Sequence, residues 1–136
     1  MNTNKINHIA IAVPNIEAAA KFYQTILGLT LSGLEEIPSQ KTRVGFLKCG
    51  ELNIELIEPT GPDSPLGKFL ETKGQGIHHL CFEVDDVEAA VKTCLEEKIT
   101  MVDQKPGPGS QHTKIAFMHP KSSGNVLIEF CELPKT

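Results

Sequence analysis

The stretches INHIAIAV (6–13) and IHHLCFEV (77–84) alternate apolar with small or polar side chains and are rich in β-branched residues, which predicts two strands. Turn and cap chemistry follows each, Pro14-Asn15 and Asp85-Asp86, with Asn15 and Asp86 placed to cap what comes next. Over 16–27 the residues Ile16, Ala19, Ala20, Tyr23 and Leu27 recur along one helical stripe, and over 87–97 so do Val87, Ala90, Val91 and Cys94. Gly28 is the expected stop of the first helix. Three more strands are predicted behind each helix, at about 29–35, 42–48 and 52–58, then at about 99–103, 114–119 and 125–131. Between the two sets, Pro-Asp-Ser-Pro at 62–65 leads into LGKFLET, a short capped helix.

The two sets are copies of one another. HIAIAVPNIEAAAK (8–21) aligns without a gap on HLCFEVDDVEAAVK (79–92), with six of fourteen positions identical. RVGFL (43–47) matches KIAFM (114–118) at the same offset of 71, and IEL (54–56) matches IEF (128–130) at 74, the three added residues falling in the turn 119–125. The chain therefore reads as one α+β domain over 1–136. Two tandem βαβββ modules, at about 5–58 and 77–132, are joined by a linker with a short helix at 59–76, and their strands are expected to form a curved mixed sheet.

Strand alternation sorts each side chain to one of two faces. Ile9, Ile11 and Val13, and in the repeat Leu80, Phe82 and Val84, belong under the helices; His8, Ala10 and Ala12, and His79, Cys81 and Glu83, face the other way. On the last strand of each module the apolar set leaves Glu55 and Glu129 on that second, open face. Each open face thus carries one His and one Glu, with small neighbours suited to lining a cavity. A carboxylate buried there is unfavourable by several kcal/mol or more unless paired or metal-bound. Two such sites related by a repeat point to a 2-His-2-carboxylate set of His8, Glu55, His79 and Glu129, donors that suit Co²⁺, Mn²⁺, Ni²⁺, Zn²⁺ or Fe²⁺. His78 has the opposite parity and is expected to pack; His112 and His119 have no carboxylate nearby in sequence.

Composition narrows the classes. With 136 residues and 40% hydrophobic positions the chain can build a core without disulfides or a structural metal, so a metal here is expected to be functional. No apolar run approaches the roughly 18 residues of a membrane span and the start lacks a signal-peptide pattern, which predicts a soluble, cytoplasmic protein with no membrane partner. A net charge of -4, no Trp and one Tyr argue against nucleic acid. Cys49, Cys81, Cys94 and Cys131 form no CxxC pair and are expected to be buried reduced thiols. Charge is uneven: 37–50 holds Lys41, Arg43 and Lys48 without an acid, and 104–124 holds Lys105, Lys114 and Lys121 without one. Gln40, Lys41, Arg43 and Lys114 are the nominees to receive an anionic ligand.

Through INHIAIAVPNIEAAAKFY, VGFLKCGELNIELIEP, DSPLGKFLE, GIHHLCFEVDD and HPKSSGNVLIE, nearly the whole chain resembles the vicinal oxygen chelate (glyoxalase I-like) superfamily, and within it the methylmalonyl-CoA epimerases. The resemblance implies metal ligands at His8, Glu55, His79 and Glu129, with Co²⁺ the first-ranked ion, a homodimer, and an acyl-CoA substrate. The implied reaction is R/S interconversion of methylmalonyl-CoA by α-proton abstraction and return through a metal-stabilised enolate, with Glu129 and Glu55 as acid/bases. Some members carry a further acid on the third strand of the first module; here that strand has none and Val44 takes the position. The alternatives are a glyoxalase I type lactoylglutathione lyase and a metal-free small-molecule binding protein of the same fold.

Overall fold

The computed structural model describes residues 1–135, which divide into two compact units: residues 8–78, and residues 1–7 with 79–135. The element order is β-α-β-β-β twice, with a helix between.

In the unit 8–78, β1 (Thr3–Ala12) contributes from His8 onward and pairs parallel with β4 (Leu52–Pro59), Ala10 opposite Glu55. β4 pairs antiparallel with β3 (Thr42–Cys49), and β3 with β2 (Leu31–Ile37), so the order is β2-β3-β4-β1. The helix α1 (Ile16–Thr25) starts where expected: the Asn15 side chain accepts from Ala18 N at 2.8 Å. Its Ile16 and Ala20 pack on Val13, Leu47 and Leu56. Close approach is possible because β3 has glycine beneath the helix; a Cβ at Gly45 would meet Ile16 Cγ2 at 2.7 Å. The chain leaves α1 through Leu27 and Gly28, the latter at φ 68°, a conformation glycine adopts without a Cβ penalty. The linker helix α2 (Pro65–Lys73) has Pro65 in its first turn and Ser64 as cap, accepting from Leu66 N at 3.3 Å. Leu66, with Phe69 and Leu70, covers Ala10, Ala12, Val44, Phe46 and Ile57. Much of the face expected to line a cavity is therefore roofed by α2, and the small Ala10 and Ala12 make room for it.

In the other unit, residues 3–7 of β1 lie beside β5 (Gly76–Val84), with Asn4 Nδ2 donating to Asp85 at 2.9 Å and Asn7 Nδ2 to Glu83 at 3.3 Å. β5 pairs parallel with β8 (Ile128–Glu132), which pairs antiparallel with β7 (Lys114–Met118), which pairs with the two-residue β6 (Gly107–Pro108). The helix α3 (Val87–Glu96) is capped by Asp86, which accepts from Ala89 N at 3.1 Å. Val87, Ala90, Val91 and Cys94 pack on Val84, Ala116 and Phe130.

One predicted strand is absent. Residues 99–103 make a single bridge, Met101 to Met118, because the Asp103 carboxylate accepts the Phe117 N–H at 2.8 Å that a paired strand would have used. Pro106 and Pro108 then remove further backbone donors. β8 starts at Ile128 rather than 125, since Asn125 at φ 73° belongs to the preceding turn. Cys49 is exposed, against expectation, at the end of β3; Cys81, Cys94 and Cys131 are buried, and all four are free thiols. Among the described residues no helix is long and apolar enough to cross a membrane.

Candidate metal and acid-base site

Each unit holds one of the His–Glu pairs. In the unit 8–78, His8 of β1 and Glu55 of β4 share a face because parallel pairing puts Ala10 level with Glu55 and His8 two residues earlier on the same side. His8 Nδ1 lies 3.1 Å from Glu55 Oε2. In the other unit His79 Nε2 lies 3.1 Å from Glu129 Oε1. All four side chains are buried, at 4–7% exposure.

The environments repeat as well. Glu55 has Phe46 opposite it on β3 and Ala10 on β1. Glu129 has Phe117 opposite it on β7 and Cys81 on β5. The Phe117 ring meets His79 edge-on, centroids 5.1 Å apart at 90°, which fixes the imidazole plane.

The donor set fits a divalent ion. Two donors held at right angles about 2.1 Å from one metal sit about 3.0 Å apart, so either 3.1 Å pair has the spacing of two neighbouring ligands as well as that of a hydrogen bond. Among the described residues His8, His79 and Glu129 each offer a buried donor of the kind that holds a metal ion. The imidazole beside each carboxylate offsets the cost of burying it.

Of the four nominees for an anionic ligand, strand parity places two on the face turned away from Glu55 and Glu129. Arg43 alternates with Val44 and so projects on the α1 side of the sheet, away from Glu55. There its guanidinium donates to Glu17 Oε1 at 3.2 Å and Glu58 Oε1 at 2.6 Å, and the two carboxylates push its pKa up. The same contact holds the Glu17 carboxyl below the usual range. Lys114, the repeat-equivalent of Arg43, falls on the side of Ala116, which packs beneath α3. Lys41 is ion-paired with Asp63, whose pKa it lowers, and Gln40 is half-buried in the short 3-10 turn before β3. His78 packs edge-on against Phe69, centroids 4.8 Å apart, as its parity implied. His119 Nδ1 accepts from Lys121 N at 3.1 Å, closing the turn before β8.

One acidic residue escaped the sequence reading. The β2–β3 register sets Glu35 opposite Val44, so this edge strand adds a second carboxylate to the face that carries Glu55. Applying the alternation test to β2, with Ile37 as the buried reference, would have found it.

The chain is similar to known proteins over most of its length. Residues 7–117 match the Glyoxalase/Bleomycin resistance protein/Dioxygenase superfamily. The chain is 40% identical over 129 residues to the mitochondrial methylmalonyl-CoA epimerase of Homo sapiens, covering 94% of this chain and 73% of the relative. It is 36% identical over 127 residues to the ethylmalonyl-CoA/methylmalonyl-CoA epimerase of Cereibacter sphaeroides, covering 92% and 95%. A solved variant of the Streptomyces coelicolor methylmalonyl-CoA epimerase in complex with 2-nitronate-propionyl-CoA superposes with a TM-score of 0.94 at 31% identity, over 98% of this chain and 100% of that one. The chain thus belongs to the glyoxalase superfamily and, within it, to the methylmalonyl-CoA epimerase family.

Proposed function

We infer that the protein interconverts the epimers of methylmalonyl-CoA, and that His8, Glu55, His79 and Glu129 together hold the divalent ion this requires. The observation that carries the reading is the pair of repeat-related, buried His–Glu couples in a chain of this family. A bound divalent ion supplies Lewis-acid stabilisation of the negative charge that develops on the thioester oxygen. His8 and His79 serve as neutral nitrogen donors. Glu129 takes the α-proton on one side of the substrate carbon, and Glu55, its repeat counterpart, returns a proton on the other. Glu35 is the reserve carboxylate on the Glu55 face and belongs in the same test. Gln40 and Lys41 remain the nominees for the substrate's anionic groups. Co²⁺ stands first among ions that accept two nitrogens and two carboxylates, with Mn²⁺, Ni²⁺, Zn²⁺ and Fe²⁺ behind it.

The test is deuterium entry at the α-carbon of methylmalonyl-CoA in D₂O with metal-reconstituted protein. Wild type is expected to wash deuterium in, Glu129→Gln to lose about 10²-fold or more in that rate, and circular dichroism to stay unchanged. Full exchange in Glu129→Gln removes it from the mechanism; Glu55→Gln and Glu35→Gln compared side by side decide the second acid/base. Turnover of a glutathione hemithioacetal without exchange moves the protein to the lyase alternative.

A homodimeric, cytoplasmic protein belongs to the same proposal. The exposed Phe22, Ile26 and Leu27 at the end of α1 support a buried partner surface, and the bacterial relative of matching length supports the compartment. Light scattering on the purified protein decides the first, cell fractionation the second.

A further inference from the structure

The helices α1 and α3 are built on alanine and carry no glycine, whereas α2, PLGKFLETK, has Gly67 in its interior. Glycine there weakens a helix about fivefold in equilibrium constant relative to alanine. Crowding does not demand it, since a Cβ at Gly67 would meet only Pro59 Cβ at 3.9 Å, an ordinary contact. Gly67 divides α2 into unequal halves. Before it the chain is pinned: Ser64 and Leu66 are buried, Asp63 is ion-paired with Lys41, and Thr60 N donates to Lys41 O at 3.0 Å. After it Phe69 and Leu70 are half-buried and Lys68, Glu71, Thr72 and Lys73 exposed. Thr72 Oγ1 donates back to Lys68 O at 2.9 Å, a bond that loosens a helix, and the segment ends at Gly74, at φ 77°. Phe69 and Leu70 pack over Ala10 and Phe46, the residues level with Glu55 on β1 and β3. The repeat supplies the contrast: among the described residues the cluster beside Glu129, formed by Cys81, Ile115, Cys131 and Phe117, contains no helix residue.

We propose that residues 68–73 of α2 are a lid over the Glu55 face, lifting about Gly67 and Gly74 to admit substrate and closing Phe69 and Leu70 over it to exclude water. Opening is cheap because two half-buried side chains are all that leaves the sheet, while the pinned first turn keeps the lid in register. The closed position is marked by the Phe69 ring, which meets His78 edge-on with centroids 4.8 Å apart and lies 5.7 Å from Lys73 Nζ. The inference rests on the reading of Glu55 as part of the acid-base site.

The experiment has two arms, both on the whole protein. In hydrogen exchange read by mass spectrometry, the amides of 68–73 should exchange about tenfold or more faster than the interior amides of α1 and α3, and methylmalonyl-CoA should slow them. Gly67→Ala should slow exchange in 68–73 about fivefold. In steady-state epimerisation the same variant should lose a similar factor in kcat/KM, because substrate enters only through the open fraction, even though its urea midpoint rises. A helix that merely supports the fold would gain stability with kcat/KM unchanged. Exchange in 68–73 as slow as in α1 and α3, or wild-type kcat/KM in a Gly67→Ala protein whose α2 exchange has slowed, overturns the proposal. If Gly67→Ala fails to fold, wild-type exchange with and without methylmalonyl-CoA decides it, an absence of protection at 68–73 counting against the lid. Should wild type wash no deuterium into methylmalonyl-CoA, the proposed function fails, while exchange in the free protein still answers for the opening of α2.

Discussion

Arg43 illustrates how one side chain changes meaning once its face is known. Among cationic residues in a stretch without acids it reads as an anion receptor; on β3 it lies toward α1, where Glu17 and Glu58 already share its guanidinium. The contact has a pH signature. Glu17 titrates lower in the folded protein than its ordinary value of 4.5, chiefly through the hydrogen bond from Arg43. Its stabilising contribution is therefore fully present above about pH 4.5 and is lost as pH falls through the lowered native value. Wild type and Glu17→Gln should differ in urea midpoint at pH 7, and the gap should close on acidification. A gap that persists at pH 2 would mean that Glu17 acts through packing and not through its charge. Because both partners are partly exposed, the same gap should shrink in high salt.

At the scale of elements, the helices were legible because their signals are local: a capping side chain and an apolar stripe lie within one short segment, with a glycine just beyond α1 and α2. Asn15 and Asp86 cap where their position predicted. The start of α3 also depends on a residue no local rule could find. Glu132, buried on β8, accepts the Val87 N–H at 3.0 Å from 45 positions away, placing a carboxylate where the helix dipole is positive. Glu132→Ala should leave that buried N–H without its acceptor and cost about 1–3 kcal/mol in urea unfolding. Loss of less than a few tenths would show that Asp86 alone suffices. The missing strand at 99–103 has the same origin: Asp103 looks like a turn residue, yet its side chain takes a ladder hydrogen bond of β7. Glu35 was overlooked because β2 is a weakly patterned edge strand, and only its register against Val44 reveals its face.

At the scale of the whole molecule, the cores are built without an ion: α1 closes one apolar cluster, α2 another and α3 a third. Treatment with a chelator should consequently abolish proton exchange while leaving the circular dichroism spectrum in place. Adding Co²⁺ at about 100 times its Kd should raise stability by about 2.7 kcal/mol, read as a concentration-dependent rise in Tm. Unfolding on chelation would make the metal structural. Sequence alone determined the repeat, the two βαβββ modules and the sheet face on which His8, Glu55, His79 and Glu129 each lie, because alternation along a strand follows from covalent geometry and needs no partner. What only the tertiary structure decided is who stands beside whom: that α2 roofs Ala10 and Ala12, that Arg43 is held by Glu17 and Glu58, that Glu35 faces with Val44, and that a thiol lies level with Glu129. Those neighbours are set by how strands pair and helices pack in space, and a one-residue slip in strand register, invisible in any single segment, would turn each strand's side chains to the opposite face.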